Sequence, residues 1–198
     1  MVRGARPQKE IAQRLRDYLR EKLAGRGVEV ETGFNLYYSL SIDSSGRVTT
    51  DKVEKGIIRR GGLSSFETDV AAFERPDPSG HAVPRVVVEI ALGGVTTHNL
   101  MIYSAKAAKH KEIYPYLRYG FVGFGEKSKI HPKVLRHGQH FDFIYIVPAD
   151  SPREGDLEML ASVISQEIDQ SRQLSRYLNR RLPVDERPAL MRKPLDFE

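Results

Sequence analysis

Two carboxylates in neighbouring strand-like runs are the residues of this chain best suited to chemistry. Asp69 lies in the run FETDVAAF, and Glu89 lies in the run PRVVVEIAL. Because successive side chains of a strand point to opposite faces, Asp69 is expected to share one face of its strand with Glu67 and Ala71. Glu89 is expected to share one face of its strand with Ala91. The spacing therefore predicts that the two carboxylates meet at one edge of a sheet.

Burial of a carboxylate among apolar residues is costly unless a positive charge compensates it. Mg²⁺ is a suitable partner, since it is a hard cation that prefers oxygen ligands. The alternative interpretation is an ordinary structural ion pair between these acids and Arg59, Arg60 or Arg85. Charged residues are rarely buried alone, so some partner is expected in either case. Taken together, the two acids favour a metal site.

The elements that must position these acids follow from periodicity and turn residues. Apolar residues recur at helical spacing in two segments, and Thr96 or Thr97 can cap a third helix that ends near Pro115. The β-branched and aromatic runs between glycine, proline and aspartate clusters indicate strands. The predicted helices are 7–24, 97–114 and 154–181; the predicted strands are one or two within 28–42, then 66–73, 84–92, 120–124 and 141–147. Segment 47–62 is predicted to be a basic loop with, at most, a short helix.

This order predicts an α/β architecture, with a mixed sheet between helices in two or three layers. The chain is long enough to bury one good core, and we expect a single domain over residues 1–198. Its core would span residues 7–147, and the long C-terminal helix would be followed by a tail over residues 182–198.

The arrangement of these residues and elements resembles the PD-(D/E)xK nuclease superfamily, which has the restriction-endonuclease-like fold. The shared pattern is an Asp in the second core strand, a Glu after VVV in the third, and a Lys- and Tyr-bearing helix next. The resemblance covers about residues 7–147. It implies a metal-dependent DNA endonuclease in which Asp69, Glu89 and the backbone carbonyl of Ile90 bind Mg²⁺, with Mn²⁺ as a substitute.

The family pattern expects a lysine two positions after the glutamate, where this chain has Ala91. Such a lysine would orient or deprotonate the attacking water and stabilise developing charge. Three explanations are open. The lysine has moved to the following helix as Lys106 or Lys109; or Ala91 replaces a lysine in a disabled nuclease; or the site is degenerate and the fold only binds. The last corresponds to a non-catalytic nucleic-acid-binding or regulatory module.

The charge of the chain favours a polyanionic partner. It has 31 Lys and Arg against 26 Asp and Glu, a net charge of +5, and such a balance suits DNA. Two basic segments are predicted to contact phosphates, 52–62 and 127–140. Their candidate residues are Lys52, Lys55, Arg59, Arg60, Lys129, Lys133 and Arg136.

Composition also excludes several classes of site and of localisation. The chain has no cysteine, which excludes disulfides, thiolate metal sites and a cysteine nucleophile. It has no apolar run of the ~20 residues that a membrane span requires, and the segment MVRGARPQKE lacks the apolar core of a signal peptide. We therefore expect a cytoplasmic protein with no membrane partner. The apolar stripe from Leu157 to Leu178 suggests a homodimer through the C-terminal helix.

Overall fold

The computed structural model describes residues 5–42, 44–46, 48–49, 53–54, 57–58, 64–76, 82–125 and 131–179. Helices and strands alternate along the second half of the chain. In chain order the elements are α1 (Ala5–Lys22), β1 (Glu29–Tyr37), β2 (Ser41–Ile42), β3 (Val48–Thr49), β4 (Val53–Glu54), β5 (Ile57–Ile58), β6 (Ser65–Glu74), β7 (Val83–Ala91), α2 (Thr97–Ile113), β8 (Arg118–Phe124), α3 (Pro132–His137), β9 (Phe143–Val147) and α4 (Glu154–Leu178).

A five-stranded sheet in the order β1-β6-β7-β8-β9 forms the centre of the molecule. Strands β1, β6 and β7 pair antiparallel, whereas β7, β8 and β9 pair parallel. Parallel neighbours need a crossover connection, and α2 supplies it between β7 and β8. The predicted α/β architecture with a mixed sheet flanked by helices is confirmed, while membership of the restriction-endonuclease-like fold stays a prediction.

Helices cover both faces of this sheet and bury two apolar clusters. One cluster joins α1 and α4 to one face through residues such as Leu15, Leu19, Val88 and Ile164. The other joins α2 and α3 to the opposite face through residues such as Leu100, Val134 and Phe121. The sheet is therefore the middle of three layers. Within the described ranges, no helix has the length and apolarity needed to cross a bilayer.

The apolar stripe of α4 packs against the sheet of its own chain. Leu157, Leu160, Ile164 and Ile168 are each at most 2% exposed. These residues belong to the apolar cluster that α1 and α4 form with one face of the sheet, so the predicted use of this part of the stripe in a homodimer is wrong. A homodimer stays a prediction, but these four side chains are not available to form it.

Two connecting segments differ from the sequence-based expectation. In the segment 47–62 the described residues form the short strands β3, β4 and β5 rather than a helix. After β8, the basic insertion contains the short helix α3, which the sequence reasoning did not predict. The N-cap of α3 is His131, whose side chain accepts from the Lys133 amide, and Pro132 occupies the first turn. A proline is well tolerated there because its missing N–H would have no helical partner.

A glycine in β1 changes which face of the sheet the strand's side chains occupy. Val30 packs in the cluster with α1 and α4, whereas Phe34, an even number of residues later, packs in the cluster with α2. Between them Gly33 has φ 67°, a conformation that side-chain-bearing residues rarely adopt. Strict alternation along the strand therefore fails at this point.

The neighbouring strand β6 shows the same break, so the predicted common face of Glu67, Asp69 and Ala71 is wrong for Ala71. Glu67 lines a pocket together with Lys9, Ala12 and Gln13 of α1, whereas Ala71 packs in the cluster with α2. Asp69 lines the same pocket as Glu67, so these two acids share a side of β6 that Ala71 does not.

The close approach of the β7–α2 connection to β8 gives a test of this packing. A Cβ at Gly123 would overlap Val95 Cγ2 and would lie 3.0 Å from Ile146 Cδ1. We predict that Gly123→Ala lowers the free energy of unfolding by about 1–3 kcal/mol, measured by urea denaturation. The control is Gly155→Ala in α4, where a Cβ meets nothing within 4 Å, and which should leave stability unchanged or raise it by up to about 1 kcal/mol. Equal effects of the two changes would contradict the described contact.

Candidate active site where β6 and β7 separate

The predicted meeting of Asp69 and Glu89 occurs where β6 and β7 separate. The antiparallel register pairs Val70 with Val88, and the next residue outward on each strand is Asp69 or Glu89. Here the Ile90 amide donates to Asp69 Oδ2 at 2.7 Å. The side chain of Asp69 thus takes a backbone hydrogen bond at the end of the ladder, which fixes its position relative to β7.

Helix α1 holds Asp69 from the other side. Gln8 Nε2 lies 3.1 Å from Oδ1 and 3.0 Å from Oδ2 of Asp69. A pocket of about 210 Å³ opens beside this aspartate, lined in part by Lys9, Gln13 and Glu67. Asp69 is therefore held by neutral donors and remains approachable through a polar pocket.

Glu89 is almost fully enclosed, and two donors from different elements share one of its oxygens. Its residue exposure is 1%. Tyr119 Oη on β8 donates to Oε1 at 2.8 Å, and Lys106 Nζ on α2 lies 2.7 Å from the same oxygen. Lys106 also donates to the backbone carbonyl of Glu67. These contacts cross-link β6, β7, β8 and α2 at one point.

Burial raises the pKa of both carboxyl groups, because nearby donors and charges only partly replace the solvation that is lost. Loss of solvation raises the pKa of Glu89 to about 7; the neighbouring Asp69 adds to this rise, while Lys106 and Tyr119 oppose it. Burial likewise raises the pKa of Asp69, against the hydrogen bonds from Ile90 and Gln8 and the charge of Lys106. Near neutral pH Glu89 is therefore partly protonated, and additional positive charge would favour the fully ionised form of the pair.

Two aromatic hydroxyls border these carboxylates and stay protonated. Burial, followed by the charges of Asp69 and Glu89, raises the pKa of Tyr103 to about 12. The pKa of Tyr119 is also raised well above its ordinary value, first by burial and then by Glu89. Both tyrosines therefore stay protonated at neutral pH and do not act as bases, and Tyr119 donates to Glu89.

His110, one helical turn after Lys106, is buried and neutral. Its exposure is 0%, and its ring packs 5.8 Å from Phe66 and 5.7 Å from Tyr119, centroid to centroid. Burial, followed by the charge of Lys106, lowers the pKa of His110 to about 3, despite the nearby backbone of Leu36. At neutral pH His110 is therefore uncharged and adds no second positive charge to the site.

Of the two lysines predicted as substitutes for the missing one, only Lys106 contacts the acids. Lys109 pairs instead with Glu112 at 2.8 Å, and both side chains are more than half exposed. Ala91 is 3% exposed within the apolar cluster under α2. The ammonium group thus comes to Glu89 from the helix and not from the position two residues later on the strand.

Of the three predicted arginine partners, only Arg85 lies within the described residues, and it pairs with a different acid. Arg85 is taken by Glu74, with Nη2 2.7 Å from Oε2. Arg59 and Arg60 lie outside the described residues. Among the residues that the structure describes, the charged partner of Glu89 is Lys106.

The donor set suits a cation that retains water ligands. Among the described residues, no cluster contains three or more His, Asp or Glu side chains able to hold a metal ion. Mg²⁺ is commonly bound by only one or two carboxylates, with water filling the remaining positions. Asp69 and Glu89, with Ile90 adjacent, fit such a site; they do not fit a site made entirely from protein ligands.

Of the seven residues predicted to contact phosphates, two lie within the described part of the chain. Lys52, Lys55, Arg59, Arg60 and Lys129 lie outside the described residues. Lys133 and Arg136 lie on α3, where Lys133 is half-buried and Arg136 is exposed. The described part of the chain therefore leaves the predicted phosphate-contacting surface a prediction.

Sequence reasoning missed Gln8 and Tyr119, the neutral residues that hold the two carboxylates. Gln8 lies near the start of an amphipathic helix, and Tyr119 is the second residue of β8, a strand rich in aromatic residues and glycines. Neither has a local signal of chemistry. Only the pairing of Glu89 with Phe121 in the β7–β8 register, with Tyr119 two residues earlier on the adjacent strand, brings the hydroxyl into place.

Comparison with known proteins adds no family assignment. No protein-family model matches the sequence, and no curated protein matches it significantly.

The raised pKa of Glu89 predicts a specific pH dependence of stability. A proton is held more tightly by folded than by unfolded Glu89, so this stabilisation is complete below the unfolded pKa of 4.5 and is lost as pH rises through about 7. In metal-free buffer, the wild-type unfolding free energy minus that of Glu89→Gln should fall by roughly 2 kcal/mol between pH 5 and pH 8. Urea unfolding at several pH values measures this difference. Parallel pH profiles for the two proteins would contradict the assignment.

Proposed function

We propose that this protein is a metal-dependent DNA endonuclease that hydrolyses phosphodiester bonds. The observation that carries the proposal is the 2.7 Å contact between Lys106 Nζ and Glu89 Oε1. It supports the explanation in which the missing lysine of the PD-(D/E)xK pattern has moved to the helix. The complete set is then Asp69, Glu89 and Lys106, with Ala91 at the vacated position.

Each residue has a distinct task in this proposal. Tyr119 and Lys106 both bind Oε1 of Glu89, which leaves Oε2 as the oxygen with the most capacity for a cation. Gln8 and the Ile90 amide restrict the rotation of the Asp69 carboxylate. When bound there, Mg²⁺ would supply Lewis-acid polarisation of a phosphate and a lower pKa for an attached water.

Lys106 would act on the substrate side of the site. Its ammonium group can hydrogen-bond the attacking water and stabilise the charge that develops on the phosphate. Because Lys106 also donates to the Glu67 carbonyl, its position is defined by β6 as well as by Glu89. Such fixed donors stabilise a transition state better than mobile ones, since they need little reorganisation.

DNA is the proposed partner, and Mg²⁺ or Mn²⁺ the proposed cofactor. The excess of basic residues over the whole chain favours a polyanion. A cut through both strands of a symmetric site commonly uses a two-fold dimer, so a homodimer is part of the proposal. Its interface would have to use a surface other than the buried stripe of α4.

Metal binding gives the first test of this function. At a metal concentration tenfold above the dissociation constant, mass action should stabilise the fold by about 1.4 kcal/mol, or roughly 3–5 °C in melting temperature. Asp69→Asn should remove this increment, because it deletes a charged ligand. Glu112→Gln, an exposed acid paired with Lys109, should retain it. A wild-type melting temperature that does not respond to millimolar Mg²⁺ or Mn²⁺ would argue against a metal site.

The two lysines of α2 provide a matched test of catalysis. With supercoiled and linear DNA and Mg²⁺ or Mn²⁺, we expect Lys106→Ala to lower the cleavage rate by about 10²–10⁴-fold, the usual effect of removing a general acid or base. Lys109→Ala removes a lysine from the same helix without touching Glu89, and should leave the rate roughly unchanged. Equal losses from both variants would indicate a general electrostatic effect and would contradict the assigned role of Lys106.

The same assay separates the nuclease from a non-catalytic binding module. DNA binding without cleavage by the wild-type chain would favour the module. An Ala91→Lys chain should be included, since cleavage by that variant alone would indicate a disabled nuclease. Because Ala91 is buried and Lys106 already contacts Glu89, we expect Ala91→Lys to add no activity to the wild-type chain.

A further inference from the structure

The Asp69 carboxylate is held by donors on both of its oxygens. The Ile90 amide donates to Oδ2 at 2.7 Å, and Gln8 Nε2 lies 3.1 Å from Oδ1 and 3.0 Å from Oδ2. The amide nitrogen of Gln8 is thus almost equidistant from the two oxygens. A cation chelated by both oxygens of a carboxylate must also be equidistant from them. Gln8 therefore occupies the approach that a chelated cation would use, and leaves Asp69 able to offer a cation one oxygen.

The Glu89 carboxylate is restricted in the same way by a different pair of donors. Tyr119 Oη donates to Oε1 at 2.8 Å, and Lys106 Nζ lies 2.7 Å from the same oxygen. A cation would bind Glu89 through Oε2, because the ammonium group beside Oε1 repels it. Each acid of the candidate site thus presents one oxygen, and donors from three other elements, α1, α2 and β8, together with the backbone of β7, fix its direction.

A site of this kind suits Mg²⁺ better than Ca²⁺. Mg²⁺ requires a nearly octahedral shell, keeps several waters and is commonly held by one or two carboxylates. Ca²⁺ is larger, takes about six to eight oxygen ligands and often binds a carboxylate through both oxygens. Carboxylates that are fixed with one oxygen toward the cation deny Ca²⁺ these additional ligands. They cost Mg²⁺ nothing, because water fills its remaining positions.

We propose that Gln8 is a specificity-determining residue that selects Mg²⁺ over Ca²⁺ by denying the cation the second oxygen of Asp69. Glu89 has two donors on its restricted oxygen, so the loss of either one leaves the other in place. Gln8, by contrast, spans both oxygens of Asp69 with a single amide group. Because that amide is neutral, Gln8 restricts Asp69 without cancelling the charge that attracts a cation. This inference rests on the proposed metal site, but its readout is metal binding and not DNA cleavage.

The test measures binding of Mg²⁺ alone and of Ca²⁺ alone to the full chain, from the rise in melting temperature with metal concentration. We expect the wild-type chain to bind Mg²⁺ more tightly than Ca²⁺. Gln8→Ala should tighten Ca²⁺ binding by about 10- to 100-fold, because a chelated Ca²⁺ then displaces no hydrogen bond to a charged group. Mg²⁺ binding should change by about threefold or less, because Mg²⁺ uses one oxygen of Asp69 in both proteins.

A matched control separates this role from a general change in the pocket. Gln13→Ala removes the same amide group from the same helix, at a position that also lines the pocket beside Asp69 but takes no part in the hydrogen bonds described above. It should leave both affinities unchanged. Gln8 is half-buried on α1, and alanine is the most favourable residue in a helix, so we expect Gln8→Ala to fold; urea unfolding in EDTA verifies this.

A double variant locates the gain in Ca²⁺ affinity. Gln8→Ala combined with Asp69→Asn should lose the gain, because the released oxygen belongs to Asp69. A gain that persists in the double variant would place the Ca²⁺ elsewhere and would overturn the proposal. A gain of equal size in Gln13→Ala would overturn it as well, because the effect would then come from the pocket in general.

The selectivity proposal and the nuclease proposal fail in different ways. If the wild-type chain binds Mg²⁺ and cleaves DNA, but Gln8→Ala leaves the ratio of the two affinities unchanged, the role of Gln8 is wrong and the nuclease stands. If Gln8→Ala shifts the ratio as expected but the wild-type chain never cleaves DNA, the nuclease is wrong and the role of Gln8 stands. A wild-type chain that binds neither cation would overturn both, since each requires the metal site.

Discussion

The burial of the Glu89 carboxylate constrains the rest of this structure more than any other single feature. A charged group removed from water costs several kcal/mol unless nearby groups replace the lost solvation. Tyr119 and Lys106 supply part of that replacement, which requires β8 and α2 to sit at fixed positions relative to β7. Burial still dominates, and the pKa of Glu89 remains near 7. Additional positive charge at the site would therefore stabilise the ionised form of Glu89.

Buried ion pairs are weak contributors to stability, and well-packed apolar residues often replace them without loss. The fold around this site shows that apolar packing is achievable, because both faces of the sheet are covered by continuous apolar clusters. A pair of acids with raised pKa values in such surroundings is more typical of a functional site than of a structural one. The neutral state of His110 fits this interpretation, since it leaves Lys106 as the cation that contacts Glu89.

The mixed topology of the sheet explains why these groups meet. The antiparallel pair β6 and β7 separates at Asp69 and Glu89, and the parallel pair β7 and β8 requires a crossover that returns α2 over the same end. The crossover brings Lys106 to the carboxylates and, one turn later, brings His110 against Phe66. One helix thus supplies both the cation that contacts Glu89 and a ring contact to β6.

The sequence by itself determined the three long helices and the strands of the central sheet, because their signals are local: apolar periodicity for α1 and α4, the Thr96 cap of α2, and β-branched runs for β6 and β7. It also determined that Asp69 and Glu89 lie on adjacent strands. Only the tertiary structure decided that Lys106 rather than Lys109 reaches Glu89, because the choice depends on which turn of α2 faces the sheet. It likewise decided the roles of Gln8 and Tyr119, the break of alternation at Gly33, and the burial of the α4 stripe. Each of these depends on contacts between residues distant in the chain, which local periodicity does not encode.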